Sequence, residues 1–352
     1  MAARRFGEAL ALATVVAVVS SSPAHARQDR RLDAPYTAAV VAFQTDGDTL
    51  PARRLVTAWT HEQVETAVAR SRRDAPQLSR PAGLLHLEIA LAMVESDPDD
   101  ALWHVRLGQQ LLEPLARANA AAQDDFVARW SVVASTVFQA RTDLSRARAA
   151  LAFGLQHRPR DARVRQHAAM IEDLESLLTD NDDMGLADRR STAARRAAYR
   201  HMASAEREYR EALEILPGMA PARIRLGRLL HRRDRPAEAR QEFERARAAV
   251  LTTGERYLLL LFLSSTYEAL DEDALARAAL QEAVRLASTR QVGWLALAQL
   301  EERTGHPDRA RGVIAQGLRR GRADVDEWWD YRHGGFDSEG LEWLRDAVRS
   351  SR

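Results

Sequence analysis

"RLGRLLHRRDRPAEARQEFERA", Arg225 to Ala246, decides the fold once its apolar letters are read apart from its charged ones. Its seven arginines raise the possibility of a nucleic-acid surface. Asp234, Glu238, Glu242 and Glu244 stand among them at helical spacing, however, where each opposite pair contributes only ~0.2–0.5 kcal/mol. The residues between the charges say more. Ala239, Phe243 and Ala246 fall at i, i+4 and i+7, one face of a helix, where the small residues admit a neighbouring helix and Phe243 fills the gap. Leu226, Gly227 and Leu230 form the matching face of a preceding helix, with Gly227 at the closest contact. "HRRDRPAEA" supplies the turn, in which Asp234 is expected to cap the second helix and Pro236 to occupy its first turn, where a missing N–H costs little.

The small-large-small pattern recurs along the chain, at Ala147-Leu151-Gly154, Ala205-Tyr209-Ala212, Ala276-Leu280-Ala283 and Ala310-Ile314-Gly317. From Ala205 onward the leading alanines are 34, 37 and 34 residues apart. The first-helix half recurs at Leu263-Ser264 before Tyr267, at Leu297-Ala298 behind Trp294, and at Ala134-Ser135 before Phe138. Prolines close two units, at Pro159 and Pro217. In-phase copies at one period are the signature of a repeat array, because one unit cannot bury its apolar face alone.

The pattern resembles the tetratricopeptide repeat, a 34-residue helix-turn-helix unit with a large residue, a Leu-Gly pair, an aromatic, then Ala, Phe, Ala and Pro at fixed spacing. The resemblance covers about residues 128–320 and is best from Ala220 to Leu318. It implies an all-α fold in which tetratricopeptide-like helix-turn-helix repeats stack into a right-handed superhelix, an α-solenoid. The packing residues it implies are Leu226, Gly227, Ala239, Phe243, Ala246, Ala276, Leu280, Ala283 and Ala310. In the family, first-helix residues line a concave groove that takes extended or helical peptides. Carried over by phase, the groove residues are Arg228 and His231, then Ser265 and Glu268, then Gln299 and Glu302. The Lys and Asn residues of the family's carboxylate-clamp subgroup have no counterpart here. The resemblance therefore implies a non-catalytic scaffold with a protein or peptide partner, no cofactor and no metal.

Composition supports the same class. Apolar residues make up 46% of the 352, while 17 Gly, 12 Pro and 6% aromatics suit helices better than strands. Charge is high at 29% but balanced to a formal +1, and every one of the 51 basic residues is Arg. A nucleic-acid partner is excluded on this balance, since polyphosphate binding needs a clustered basic excess. There is no cysteine, so no disulfide, thiolate metal site or lipid-modified cysteine. "MAARRFGEALALATVVAVVSSSPAHA" reads as a secretory signal peptide: Arg4 and Arg5, an apolar run from Ala9 to Val19, then Ala24-His25-Ala26. Gly7 and Glu8 argue against a twin-arginine signal. Cleavage after Ala26 is expected, which removes two Arg and one Glu and exports the chain to the periplasm or envelope. No integral span is expected in the mature chain, because "YLLLLFL" (Tyr257 to Leu263) is far too short to cross a bilayer. Nothing in the sequence sets an oligomeric state.

Beyond the signal at 1–26, residues 27–58 are expected to be poorly ordered, with one short helix near Ala38 to Gln44. Degenerate helical repeats are expected over 59–178, with helices near 60–73, 82–96, 101–118 and 124–141 and Leu107-Gly108 and Leu111 in register. A linker loop follows at 179–190, tetratricopeptide-like repeats at 191–322, and a capping segment at 323–352. The loop "TDNDDMGLADRR" does not make a calcium site, because Met184 stands where an oxygen ligand is needed and Ser191, just after it, where the closing Glu belongs. Ala193 to Leu216 contains no helix breaker, so one long helix is expected there.

No HExxH, GxSxG, GxxxxGK[ST] or GxGxxG motif is present, and the ten histidines are scattered. His61-Glu62 lacks a third ligand, and Asp99-Asp100 and Asp182-Asp183 sit where helix capping accounts for them. Two other function classes carry specific expectations. An all-α envelope hydrolase would hold an acid and a base far apart in sequence. A glycan-binding module would use the C-terminal aromatics Trp328, Trp329, Tyr331, Phe336 and Trp343 as stacking faces, although Leu341, Leu344 and Val348 form one helical face suited to capping the last repeat.

Overall fold

The computed structural model describes residues 33–118, 120–181, 192–320 and 326. Among these there are fifteen α-helices and one short 3-10 turn, and no strand. The chain divides into two compact units after Arg141. The expected all-α class is what is observed. The signal peptide at 1–26, most of the 179–190 loop and, apart from Asp326, the capping segment with its aromatics lie outside the described residues.

The first unit contains α1 (Asp33–Asp46), α2 (Leu50–Ala58), α3 (His61–Asp74), the 3-10 turn Pro76–Leu78, α4 (Ser79–Met93), α5 (Pro98–Ala118) and α6 (Ala120–Ala140). Thr60 and Gln63 form a reciprocal capping box at the start of α3. The Asp97 side chain accepts from the Asp100 N–H at 3.0 Å where α5 begins. Helices α4 and α5 approach closely: a Cβ on Gly108 would lie 3.0 Å from the Gly83 carbonyl oxygen. The segment expected to be poorly ordered is instead helical from residue 33, and Tyr36, Ala39, Val40 and Ala52 enter the core with Val64, Leu85, Ile89 and Leu111. The short helix expected near Ala38 to Gln44 lies within α1; the run Ala38 to Phe43 is apolar without interruption, so it carries no 3.6-residue period from which the helix's full extent could be read.

The second unit contains α7 (Leu144–His157), α8 (Ala162–Asn181), α9 (Thr192–Ile215), α10 (Ala220–Arg232), α11 (Pro236–Arg247), α12 (Thr253–Glu268), α13 (Asp273–Leu286), α14 (Gln291–Arg303) and α15 (Pro307–Arg319). They pack as successive hairpins, α8 with α9, α10 with α11, α12 with α13 and α14 with α15, and each hairpin stacks on the next. The long helix expected from Ala193 is α9, which serves as the second helix of a hairpin with α8. Helix α8 runs to Asn181, three residues into the expected loop.

The leading small and large residues of the repeats, Ala205-Tyr209-Ala212, Ala239-Phe243-Ala246 and Ala276-Leu280-Ala283, are all fully buried, with Leu226 and Ala310 close behind. Gly227 faces Phe243 so closely that an added Cβ would sit 2.6 Å from the ring Cε1. Gly317 stands in the same relation to Trp294, with Cγ 2.9 Å from its would-be Cβ. One short residue and one large ring therefore interlock across each of these two hairpins.

The turns correct one expectation. Asp234 does not cap α11, whose N-cap is Arg235 with Pro236 in the first turn. Instead Asp234 takes a left-handed conformation, φ 57°. Thr142, Asp271 and Gly305 do the same, at 59°, 58° and 81°, and all four stand five residues before the first small residue of a second helix. The chain reverses there, and the N–H groups of Arg235, Glu272 and His306 reach back to the carbonyls of Leu230, Tyr267 and Glu301 at 2.8–3.0 Å, which closes the first helix. A side-chain cap and a reversed backbone compete for the same aspartate. The carbonyls left open by the first helix decide in favour of the reversal.

Candidate functional site

The residues expected to face a partner lie on three successive first helices, α10, α12 and α14. Each of these helices turns its Leu-Gly, Leu-Ser or Leu-Ala pair inward, which leaves the positions two and five residues after the leucine on another face.

Arg228 on α10 is not a solvated groove residue. It is 9% exposed, and its Nη1 donates to Asp173 Oδ2 on α8 at 3.3 Å. Arg232, one turn on, donates to Asp173 Oδ1 at 2.6 Å and to Ser176 Oγ at 3.2 Å. Asp173 is itself 2% exposed, so both guanidiniums serve to neutralise a buried carboxylate. His231 is half-buried and bridges α10 to α12: Nε2 lies 3.4 Å from Ser265 Oγ and Nδ1 3.3 Å from Thr266 Oγ1. Burial lowers its pKa against the opposing pull of Asp234, so the ring is neutral at neutral pH.

Glu268 on α12 is half-buried and lies 3.4 Å from Arg303 Nη2 on α14. Burial raises its pKa; the Arg303 charge opposes this and Asp273 adds to it. Ser265, Gln299 and Glu302 are exposed. The six expected residues thus fall into two groups. Arg228, His231 and Glu268 tie one hairpin to another, and Ser265, Gln299 and Glu302 present polar atoms to solvent on successive first helices. Sequence spacing gave no hint of Asp173, Arg232, Thr266 or Arg303, because their partners are 30 to 59 residues away.

Among the described residues one group of carboxylates and histidine is close enough to hold a metal ion, Glu172 and Glu175 on α8 with His201 on α9. The Arg148 guanidinium pairs with Glu175 and lies 3.6 Å from Glu172, so a positive charge already sits there. In the first unit His61 pairs with Asp100 and stacks on Trp103 at 4.0 Å, which accounts for its side chain without a ligand. Nearby, Tyr36 Oη and His86 Nε2 are 3.0 Å apart and His86 Nδ1 and His104 Nδ1 2.9 Å, a fully buried polar chain. No helix among the described residues is long and apolar enough to cross a membrane.

Comparison with known proteins agrees with this geometry. Residues 197–261, from α9 to the middle of α12, match the tetratricopeptide repeat family. No curated protein matches the chain in sequence. Among solved structures, the chain is similar to PilF of Pseudomonas aeruginosa at 18% identity and a TM-score of 0.46, over 57% of this chain and 80% of that one. It is similar to PilW, described as a type IV pilus biogenesis factor, at 20% identity and a TM-score of 0.44, over 55% and 77%. MamA of Desulfovibrio magneticus RS-1 is similar at 15% identity and a TM-score of 0.43, over 55% and 94%.

Proposed function

We propose, for a chain whose residues 197–261 are tetratricopeptide repeat, that it is a non-catalytic interaction scaffold of the periplasm or cell envelope that holds a protein or peptide partner along its first helices. The observation that carries this reading is the phase of Ser265, Gln299 and Glu302: the equivalent positions Ser265 and Gln299, with Glu302 one turn on, are exposed polar groups on stacked first helices, Ser265 engaged only with His231 at 3.4 Å. Such a row suits main-chain and side-chain hydrogen bonds to a short segment, with Glu268 and His231 as its half-buried floor. The basic start, apolar run and small residues of 1–26 support export before the scaffold acts.

The test is crosslinking followed by mass spectrometry in envelope fractions, comparing the wild type with Gln299→Ala/Glu302→Ala. Both side chains are exposed, so the variant keeps its helical circular dichroism. Loss of one defined crosslinked partner supports the reading, and an unchanged crosslink pattern refutes the first-helix face as the site.

A further inference from the structure

A cavity of about 780 Å³ opens along α9, on a second helix and therefore away from the first-helix row. Its size is that of a ligand cleft, ~300–1,000 Å³. Five guanidiniums line it: Arg160 from the turn before α8, Arg165 from the first turn of α8, Arg207 and Arg210 from α9, and Arg233 from the end of α10. Three carboxylates, Glu206, Glu211 and Glu214, share the wall, which leaves an excess of two positive charges.

The internal pairing accounts for only part of this set. Glu206 accepts from Arg210 at 2.8 Å and from Arg235 at 2.8 Å, and also pairs with Arg233. Arg165 is held by Glu208 at 2.6 Å and by Glu211. Arg207 is more than half exposed and is loosely held, by Glu208 at 3.2 Å, by Ser204 Oγ at 3.2 Å and by Glu211 at 4.0 Å. Arg160 is exposed and has no ion-pair partner among the described residues. Behind the wall, Glu208 and Glu238 are offset in part by Arg235, and the balance stays positive.

We infer that this α9 cavity binds an acidic peptide segment, with two carboxylates of the segment taken by Arg160 and Arg207. A guanidinium offers a planar fork that matches a carboxylate bidentately, and two forks on one wall select for two acids. The neighbouring Glu211 and Glu214 set the class of anion. They interrupt the guanidiniums, so the positive charge is not concentrated at one point, and separate single charges on aspartate and glutamate side chains match it better than one compact dianion. Counted with Glu208, Glu238 and Arg235, the wall keeps one net positive charge, which an acidic segment would neutralise.

Fluorescence anisotropy of labelled hexaglutamate against the full chain at low ionic strength tests this. Binding should weaken on the order of ten-fold in Arg160→Glu/Arg207→Glu. Both side chains are exposed, so helical circular dichroism stays at the wild-type level. Gln299→Ala/Glu302→Ala should bind hexaglutamate as the wild type does, which separates this site from the first-helix face. Inorganic phosphate should compete no better than chloride at matched ionic strength. The inference is overturned by absence of binding to the wild type, by equal binding to the charge-reversed variant, or by phosphate displacing the peptide more strongly than matched chloride.

Discussion

Adding one methyl group to Gly227 should change the stability of the second unit in opposite directions depending on what stands at residue 243. In the wild type the new Cβ would lie 2.6, 2.8 and 2.8 Å from three ring carbons of Phe243. The ring has nowhere to go: it is fully buried and stacked on Phe262 with centroids 5.9 Å apart and planes 9° from parallel. Overpacking of this kind costs ~1–3 kcal/mol. Replacing glycine by alanine inside a helix returns only ~0.5–1 kcal/mol, so Gly227→Ala should be destabilising by about 1–2 kcal/mol. Phe243→Ala alone should cost ~3–5 kcal/mol through lost burial and a cavity. With the ring gone, the methyl group enters vacant space, keeps its helix propensity and fills part of the hole. Gly227→Ala should therefore stabilise the Phe243→Ala background.

The coupling between the two sites is then about 2 kcal/mol, well beyond the ~0.3–0.5 kcal/mol within which independent sites add. Hydrogen exchange of the α10 and α11 amides under increasing urea is the suitable assay, because stability in a repeat array is local to each unit and its neighbours. A Gly227→Ala effect of the same sign and size in both backgrounds would refute the interlock.

Three further outcomes follow from the same packing and charge arguments. Asp234→Gly should stabilise by ~1 kcal/mol, because glycine takes φ 57° without the left-handed cost, and Gly305→Ala should destabilise by a similar amount; urea midpoints of the two variants moving the same way would contradict the turn assignment. Asp173→Ala should cost ~3–5 kcal/mol by leaving Arg228 buried without its carboxylate, whereas Asp173→Leu/Arg228→Met should cost far less; thermal melts showing equal losses would sink that account. The first unit should lose stability as pH falls. Burial, opposed by Asp100 and aided by His61, holds His104 at about 4, and burial with the His104 charge lowers His86, while an unfolded histidine takes its proton near 6.5. The unfolded chain thus binds more protons between those values, and stability present above pH 6.5 is lost by about 3 kcal/mol from His104 alone on the way to pH 4, with His86 acting in the same direction. A urea midpoint, read by Trp103 beside both rings, that stays flat over this window would show the dyad to be hydrated.

The second-helix half of each repeat was legible because its message is local. Ala239, Phe243 and Ala246 lie within one helix, and the period of 34 to 37 residues repeats the same burial in α9, α11 and α13. The first-helix half was harder to read, since α12 is apolar nearly all round and Tyr257 to Leu263 carry no face preference until α13 and α10 pack on it. Helix α1 was expected only over Ala38 to Gln44, and its full length and its place in the core were not read. Asp234 was misread because capping and chain reversal use the same residue type, and only the backbone angle separates them. Arg228 shows the limit most clearly: by phase it belongs to a groove, yet an aspartate 55 residues earlier, on a helix of another hairpin, has already claimed it.

That case extends to the arginines that first drew attention to Arg225–Ala246. Arg228 and Arg232 reach Asp173, Arg233 and Arg235 reach Glu206, and Arg240 reaches Glu272 at 2.8 Å. Pairing inside the stretch, at the helical spacing read from sequence, is left to Arg235 with Glu238 and Arg245 with Glu242. Most of these guanidiniums join one hairpin to another, and Arg235 holds two carboxylates at once, which a point-charge ammonium does less well. Apart from the buried pairs to Asp173, the more exposed of these contribute only ~0–1 kcal/mol each, so their effect is to fix the relative placement of stacked hairpins more than to stabilise any one of them. A balanced net charge of +1 is what such mutual pairing requires. Binding of an anionic partner must then come from arginines that this pairing leaves over or holds only loosely, and in the second unit one cavity brings together exposed Arg160 and Arg207, the latter held at 3.2 and 4.0 Å.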